Sequence, residues 1–173
     1  MSDPYIEFEA GESTTRAVSI HPENICTIEE GVELVDEGFF GLQNEYETTQ
    51  DWCRIRTTDG ERHQINEPWG VIMRKIEPYV NDYIKLDAYK SSKLDPAKRE
   101  MLFHLDNVTS IKKCTKPTAT NILGIPTECE KDNQRVKIAV VGGNTYIAEM
   151  FYDSVMRRIP PGRRPINSTE RVD

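Results

Sequence analysis

Two histidines at matching positions are the first residues whose types and spacing are suited to chemistry. His21 lies three residues before Asn24, and His104 lies three residues before Asn107. An imidazole binds metals and exchanges protons near neutral pH. Two such rings meeting across an interface could bind a metal, a phosphate or a nucleotide. Each histidine could instead cap a turn or pack beside its asparagine. The four residues are therefore candidate ligand-binding residues, and we predict no metal site.

A group of arginines near one predicted hairpin is the second candidate. Arg54, Arg56 and Arg62 lie close to Trp52 in an otherwise acidic part of the chain. A guanidinium group binds phosphate and carboxylate groups with two parallel hydrogen bonds, and aromatic rings stack on nucleic-acid bases. The three arginines could also form cross-strand ion pairs on a solvated face of a sheet. We include them in the candidate ligand site.

Two recurring carboxylates, Glu67 and Glu149, could perform acid–base chemistry if they lay close together. Each lies near the start of a predicted helix, where the helix dipole favours an acidic residue, and we expect this structural role. Gly142-Gly143 lacks the lysine and hydroxyl residues of a phosphate-binding loop. The four cysteines form no Cys-x-x-Cys pair and are expected to be buried thiols. We therefore expect a protein without enzymatic activity and without a cofactor.

The elements that must position these residues occur twice along the chain. Three blocks recur in the same order, shifted by 78 residues for the first block and by 83 for the other two. The paired blocks are 5–10 with 83–88, 21–28 with 104–111, and 73–76 with 156–159. The repeated order predicts an internal duplication. Each copy is close to the size at which a single hydrophobic core is marginal.

Alternating apolar and polar residues predict short antiparallel strands in each copy. They are 5–10, 16–20, 25–28, 52–57 and 62–65 in the first copy, and 83–88, 100–103, 108–111, 136–141 and 145–148 in the second. Asp59-Gly60 and Gly142-Gly143-Asn144 are predicted hairpin turns. An apolar stripe at helical spacing then follows in each copy. The stripes are Trp69, Ile72, Met73 and Ile76, and Tyr152, Val155, Met156 and Ile159, the second in a helix starting near Glu149.

These elements predict an α+β fold of two tandem copies of a small antiparallel β unit, each ending in one short helix, packed as a pseudo-dimer. The predicted domains are residues 1–80 and 81–159, followed by a disordered tail at 160–173. A longer variable stretch separates the third strand from the final hairpin in each copy. It holds Phe39-Phe40-Gly41-Leu42 in the first copy, and Pro117, Ile122-Leu123-Gly124-Ile125 and Pro126 in the second.

One pattern of residues is present in both copies: Asn-(Ile/Val)-x-x-Ile before a third strand, a glycine turn, and Ile-x-Glu before the helix. Its residues are Asn24-Ile25, Ile28, Asp59-Gly60, Ile65 and Glu67, and then Asn107-Val108, Ile111, Gly142, Ile147 and Glu149. With these residues, each copy resembles small bacterial proteins of the flagellar FlbD type and, more loosely, the LytTR DNA-binding domain. The resemblance implies a compact β unit with one helix and a regulatory or binding role. The acidic first copy departs from what DNA binding requires.

The 173 residues carry a net charge of −7 that is unevenly distributed. Residues 1–80 hold 6 basic and 17 acidic residues, whereas residues 81–173 hold 16 basic and 12 acidic residues. The two parts could therefore attract each other within the chain or between chains. The N-terminus lacks the basic and apolar regions of a signal peptide, and no apolar stretch is long enough for a membrane span. We expect a cytoplasmic protein without membrane association.

Three functions are compatible with these features. We expect a non-enzymatic binding or adaptor protein that acts through protein–protein association, with a protein partner or with itself. The alternative is a sensor or sequestering protein for a nucleotide-like ligand, at the repeat interface or the arginine-rich hairpin. The third is a nucleic-acid-binding regulatory module that uses the basic second half and Arg163-Arg164. The negative net charge argues against this last function, because neutralising phosphates dominates such affinity.

Overall fold

The structure is a computed structural model that describes residues 4–11, 14–38, 45–91 and 97–166. In these residues the protein is dominated by β-strands, with two short α-helices. The first half contains β1 (Ile6–Ala10), β2 (Arg16–Ile20), β3 (Ile25–Asp36), β4 (Glu45–Thr57), β5 (Arg62–Ile65) and α1 (Trp69–Ile76). The second half contains β6 (Tyr83–Lys90), β7 (Arg99–His104), β8 (Val108–Thr120), β9 (Pro126–Val140), β10 (Thr145–Ala148) and α2 (Tyr152–Arg158). The predicted strands are confirmed, and α2 starts three residues later than we expected from Glu149.

The ten strands that the structure describes form a single antiparallel sheet. Its order is β2-β1-β5-β4-β3-β7-β6-β10-β9-β8, so the same order of strands is read twice in the same direction. The halves meet where β3 pairs with β7 through Thr27 and Phe103, Ile28 and Leu102, and Glu29 and Met101. We call this pairing the joint. A twofold pseudo-dimer would join like strands, whereas here the last strand of one order joins the first strand of the next. Packing as a pseudo-dimer is therefore not confirmed.

The two halves bury their apolar residues on opposite faces of the sheet at the joint. Ile28 and Leu102, which are paired across the joint, belong to a first core that also contains Trp69 of α1. Phe103, one residue further along β7, belongs to a second core that contains Val155 of α2. Because successive residues of a strand point to opposite faces, the joint strands are covered on both sides. This explains the unbroken burial of residues 25–31.

Both predicted hairpin turns are confirmed and contain glycines with positive φ. Gly60 has φ of 89°, and Gly142 and Gly143 have φ of 89° and 82°. These are left-handed conformations that side chains with a Cβ rarely adopt. The first turn joins β4 to β5 and the second joins β9 to β10, which are the final hairpins of the two halves.

Two long hairpin arms extend the sheet through the regions that the sequence suggested only as variable stretches. β3 and β4 form the first arm, and β8 and β9 form the second. The pairing of the second arm runs from Val108 opposite Val140 to Thr120 opposite Pro126. The apolar segment Ile122–Ile125 forms the exposed tip of the second arm. Pro126 lies at the first position of β9, where a missing N–H does not interrupt the ladder. Residues 39–42 of the first arm lie outside the described residues.

The C-terminal segment is described as far as residue 166. Pro161–Arg163 forms a short 3-10 turn, and Arg163 forms ion pairs with Asp82 at 2.8 Å and with Asp106 at 2.9 Å. Arg163 is therefore held against the second half, and the disorder expected of residues 160–173 stays a prediction. Residues 167–173 lie outside the described residues. None of the helices in the described segments has the length and apolar composition that crossing a membrane requires.

Candidate functional site

A fully buried carboxylate, Glu29, lies at the centre of the joint. Its Oε2 is 2.9 Å from Nη2 of Arg99 on β7, and its Oε1 accepts a hydrogen bond from Nε of Arg56 at 2.9 Å. The Tyr146 hydroxyl on β10 donates to the same Oε1 at 2.9 Å. Nη1 of Arg54 is 3.8 Å from Oε2. The joint thus has a polar centre in which one carboxylate holds groups from both halves.

Strand register determines which side chains reach Glu29. Arg54 lies opposite Glu29 and Arg56 lies opposite Thr27 in the pairing of β3 with β4, so both arginines project to the same face as the carboxylate. Burial raises the pKa of Glu29, whereas the nearby guanidinium groups of Arg99, Arg56 and Arg54 lower it. Their combined effect is larger than that of burial, and the net shift of the pKa is downward. Glu29 is therefore ionised at neutral pH. Burial likewise lowers the pKa of Arg54, although Glu29 opposes that shift.

A separate pocket of about 220 Å³ lies in the first half, near the start of β2. Its walls include Arg16, Arg54, Arg62 and His63, together with Ala10, Gly11 and Gln64. We call it the arginine pocket. Within the described segments, neither Arg16 nor Arg62 forms an ion pair, whereas His63 lies 3.4 Å from Glu61. Guanidinium groups without counter-ions favour binding of an anion. Of the three predicted arginines, Arg54 and Arg62 line this pocket, while Arg56 binds Glu29.

Two residues of the arginine pocket hold, in the first half, the registers of the second-half residues that bind Glu29. Arg16 pairs with Ala10 as Arg99 pairs with Ala88. His63 pairs with Ile55 as Tyr146 pairs with Ile138. In the second half, Arg99 and Tyr146 hold the Glu29 carboxylate. In the first half, the corresponding Arg16 and His63 line an open pocket.

The two predicted histidines lie in similar places with different surroundings. His21 is partly exposed, accepts a hydrogen bond from the Glu23 N–H at 3.3 Å and contacts the ring of Tyr5 edge-on. His104 is 2% exposed and contacts the ring of Tyr83 edge-on, with the ring centres 4.9 Å apart. Burial lowers the pKa of His104. Its Nδ1 has no hydrogen-bond partner within the described part of the chain. These contacts support turn packing, and ligand binding by the histidines stays a prediction.

The two predicted asparagines also differ. Asn107 is buried, and its Nδ2 donates to the carbonyl oxygens of Glu23 at 2.8 Å and Ile25 at 2.7 Å. These bonds cross from the second half to the first and fix the turn before β3. Asn24 is exposed, and its side chain makes no hydrogen bond to any residue that the structure describes. Only one member of this pair contributes to the joint.

The remaining candidate groups have structural surroundings. Glu67 is buried, accepts a hydrogen bond from the Glu9 N–H at 3.0 Å and pairs with Lys75. Burial raises the pKa of Cys26 to about 11 and that of Cys53 to about 12, and both thiols are therefore poor nucleophiles at neutral pH. In the described segments, no group of three or more His, Cys, Asp or Glu residues is arranged to hold a metal ion.

Sequence reasoning missed four residues that define the site: Arg16, Glu29, Arg99 and Tyr146. One signal could have identified two of them, because Arg16 and Arg99 each lie five residues before a repeated histidine. No comparable signal marked Glu29, because nothing in the sequence distinguishes this residue from its neighbour Glu30. The residues that neutralise Glu29 come from strands distant in the sequence.

The fold and site define an open antiparallel β protein with a charged internal joint and an arginine-lined pocket beside one edge. No known protein family, curated protein or solved structure matches the chain.

Proposed function

We propose that this is a non-enzymatic binding protein that acts through protein–protein association at the edges of its sheet. The observation that carries this proposal is the open order of the sheet. Among the described strands, β2 pairs only with β1 and β8 pairs only with β9. Each outer strand therefore presents unpaired main-chain groups, which other strands can bind.

The joint supports this proposal because it is itself a pairing between the edge strands of the two halves, β3 and β7. We infer that the chain arose by duplication of one β unit and that β3 and β7 are the edges through which the copies joined. By the order of the sheet, β2 corresponds to β7, and β8 corresponds to β3. The outer strands thus retain the places that the joint uses. The exposed apolar tip at Ile122 and Leu123 offers a further contact surface.

The association state of the chain tests this proposal. Sedimentation velocity across a range of concentrations, and native mass spectrometry of protein purified from its own host, should show a defined oligomer or a stoichiometric complex. Lysine on an edge strand blocks strand addition. The exposed residues Ser19 on β2 and Thr109 on β8 allow matched variants, Ser19→Lys and Thr109→Lys. Loss of association in one variant alone would identify the edge. The proposal would be contradicted if both measurements showed a monomer without a bound partner protein.

The arginine pocket supports a second candidate function, binding of a small anionic ligand. Its volume of about 220 Å³ is below the roughly 300 Å³ at which pockets for drug-sized ligands begin, so it suits a phosphate or carboxylate group better than a whole nucleotide. Inorganic phosphate and a nucleoside triphosphate should then raise the melting temperature, and Arg62→Ala should abolish the rise. Arg56→Ala is unsuitable for this test, because Arg56 neutralises Glu29. An unchanged rise in Arg62→Ala would exclude this pocket.

Nucleic-acid binding, the third predicted function, is not part of the proposal. Arg163, one of the two tail arginines that suggested it, pairs with Asp82 and Asp106 and is already neutralised. The likeness to FlbD-type proteins and the cytoplasmic location stay predictions.

A further inference from the structure

Besides Tyr146, which donates to Glu29, three side chains of the second half bind the turn before β3 or the Glu29 carboxylate itself. The Tyr83 hydroxyl donates to the Pro22 carbonyl oxygen at 3.3 Å. Asn107 donates to two carbonyl oxygens of the turn before β3, and Arg99 binds the Glu29 carboxylate. Two of these three contacts use main-chain acceptors, which any strand can supply. The third requires an acidic side chain at one position of the docked strand.

The first half presents the same three residue types at the corresponding places. Tyr5 precedes β1 by one residue as Tyr83 precedes the matching Ile84, and Asn24 ends the turn after β2 as Asn107 ends the turn after β7. Arg16 begins β2 in the register of Arg99. Within the described segments, Arg16 has no ion pair and the Asn24 side chain has no hydrogen bond. The β2 edge therefore carries the residue types that bind β3 at the joint, but among the described strands none is paired with this edge.

The strand that docks on β2 must carry an acidic residue where β3 carries Glu29. The chain's own outer strand β8 does not, because Lys112 follows Ile111 as Glu29 follows Ile28, and Ile111 and Ile28 hold matching registers. Docking of β8 from a second copy would place the Lys112 ammonium beside Arg16 in a pocket that already contains Arg54 and Arg62. Like charges in contact oppose that pairing, so a second copy of this chain does not fit.

We propose that the β2 edge receives an extended acidic segment of another protein, whose carboxylate enters the arginine pocket and pairs with Arg16. This inference rests on the proposed function and adds the chemistry of the partner. The segment would add to the sheet antiparallel to β2, as β3 does to β7. Specificity would come from the carboxylate, because the main-chain bonds accept any sequence.

The overall charge of the first half does not help this partner to approach, since residues 1–80 hold 17 acidic against 6 basic residues. The attraction is therefore local to the pocket. Discrimination against non-acidic segments should then come mainly from the dissociation rate.

A peptide taken from the chain's own β3 is a direct probe. Residues 22–34, with Cys26 replaced by Ser, contain the turn and Glu29 in the arrangement seen at the joint. Its binding to the full chain can be followed by fluorescence anisotropy. Matched peptides carry Glu29→Gln or Glu29→Lys, and a fourth peptide spans residues 105–117, which contain the turn before β8 and most of β8. We expect Glu29→Gln to weaken binding about tenfold, and Glu29→Lys and the β8 peptide to show no measurable binding.

Variants of the full chain locate the site. Arg16→Gln should weaken binding of the β3 peptide about tenfold and should remove the difference in affinity between the β3 peptide and its Glu29→Gln form. Arg74→Gln is the control, because Arg74 is an exposed arginine on α1 away from the pocket. It should leave binding unchanged. Both variants change exposed residues, and equal melting temperatures would verify the fold.

The opposing results are distinct. Binding that does not depend on residue 29 of the peptide, or on Arg16, would overturn the acidic-segment proposal. Tighter binding of the β8 peptide would replace it with a second copy of this chain. Binding of acetate or inorganic phosphate through Arg16, without binding of the peptide, would replace it with a small anion. If Ser19→Lys still abolished association in any of these cases, the proposed function would stand while this inference failed.

Discussion

The joint and the β2 edge are two versions of one arrangement, one filled and one open. At the joint, Arg99 and Tyr146 of the second half hold the buried carboxylate of Glu29. At the β2 edge, Arg16 and His63 hold the same registers and line a pocket. The comparison shows that an arginine at the start of an edge strand, such as Arg99 on β7, can be half of a strand-docking site. The other half is then a carboxylate from a neighbouring strand.

The strands β3 and β8 make the complementary comparison. Both are the last strand in the order of their half, and both extend into a long arm. β3 brings an acidic residue to the position that β8 fills with Lys112. At the next position Glu30, which accepts a hydrogen bond from the Glu100 N–H across the joint, corresponds to Lys113. These differences in charge separate the edge that is buried at the joint from the edge that we propose to be unsuited to docking on β2.

Removing the charge of Glu29 should have the largest effect on the joint. Glu29→Gln removes the charged carboxylate that binds the buried guanidinium groups of Arg56 and Arg99, and losing one partner of a buried pair costs about 3–5 kcal/mol. We expect the free energy of unfolding, measured by urea denaturation, to fall by that amount. Glu47→Gln, an exposed change on β4, is the control and should shift it by less than about 0.5 kcal/mol. Equal effects would show that Glu29 does not hold the joint.

Tyr146→Phe removes one hydrogen bond to Glu29 without changing the charge of the joint. A hydrogen bond to a charged group contributes about 1.5–3 kcal/mol, and we expect a loss in this range. In combination with Glu29→Gln, the loss should be smaller than the sum of the single losses, because both variants disrupt one contact. Strict additivity in this double-mutant cycle would show that the hydroxyl acts elsewhere.

The two asparagines test whether the joint uses only one copy of each repeated residue. Asn107→Ala leaves the carbonyl oxygens of Glu23 and Ile25 without their donor, and we expect a loss of about 1–3 kcal/mol in the free energy of unfolding. Asn24→Ala, its exposed counterpart, should change it by less than about 0.5 kcal/mol. A large effect of Asn24→Ala in the isolated chain would mean that the β2 edge is already occupied.

The histidines give the smallest expected difference. Burial lowers the pKa of His104 from 6.5, opposed by Asp106, Asp82 and Glu23 and assisted by Arg163. The unfolded chain therefore binds a proton more readily than the folded protein. The contribution of this residue to stability is complete above pH 6.5 and decreases as the pH falls below it, by at most about 1.4 kcal/mol per pH unit.

Thermal or urea denaturation between pH 7 and pH 5 can detect this dependence. His104→Gln should flatten the decrease. An equally steep decrease in this variant would show that the pH dependence does not come from His104.

Local patterns were sufficient to predict most of the sheet. Alternation gave β2 and β5 with the bounds that the structure has, and Gly60 and Gly142 were correctly placed in turns. The arms were missed because their exposed strands lack an apolar face, so alternation does not mark them. Pro117 and Pro126 lay in the variable stretch of the second copy, where no strand was predicted, although Pro126 begins a strand.

The joint could not be predicted, because it depends on which edges pair. Arg54 and Arg56 were selected for their types, but their partner Glu29 was not, since no spacing in the sequence relates it to Arg99, seventy residues away. His104 and His21 look equivalent in sequence, and only the packing of the second half against the first distinguishes the buried ring from the partly exposed one.

Hydrogen exchange of the full chain with and without the β3 peptide tests most directly whether β2 is an open docking edge. Unpaired main-chain amides of an edge strand exchange readily and become protected when a strand pairs with them. The account predicts new protection confined to residues 16–20, which is lost with the Glu29→Lys peptide and reduced in Arg16→Gln. Protection at β8, or no change at β2 with saturating peptide, would contradict it.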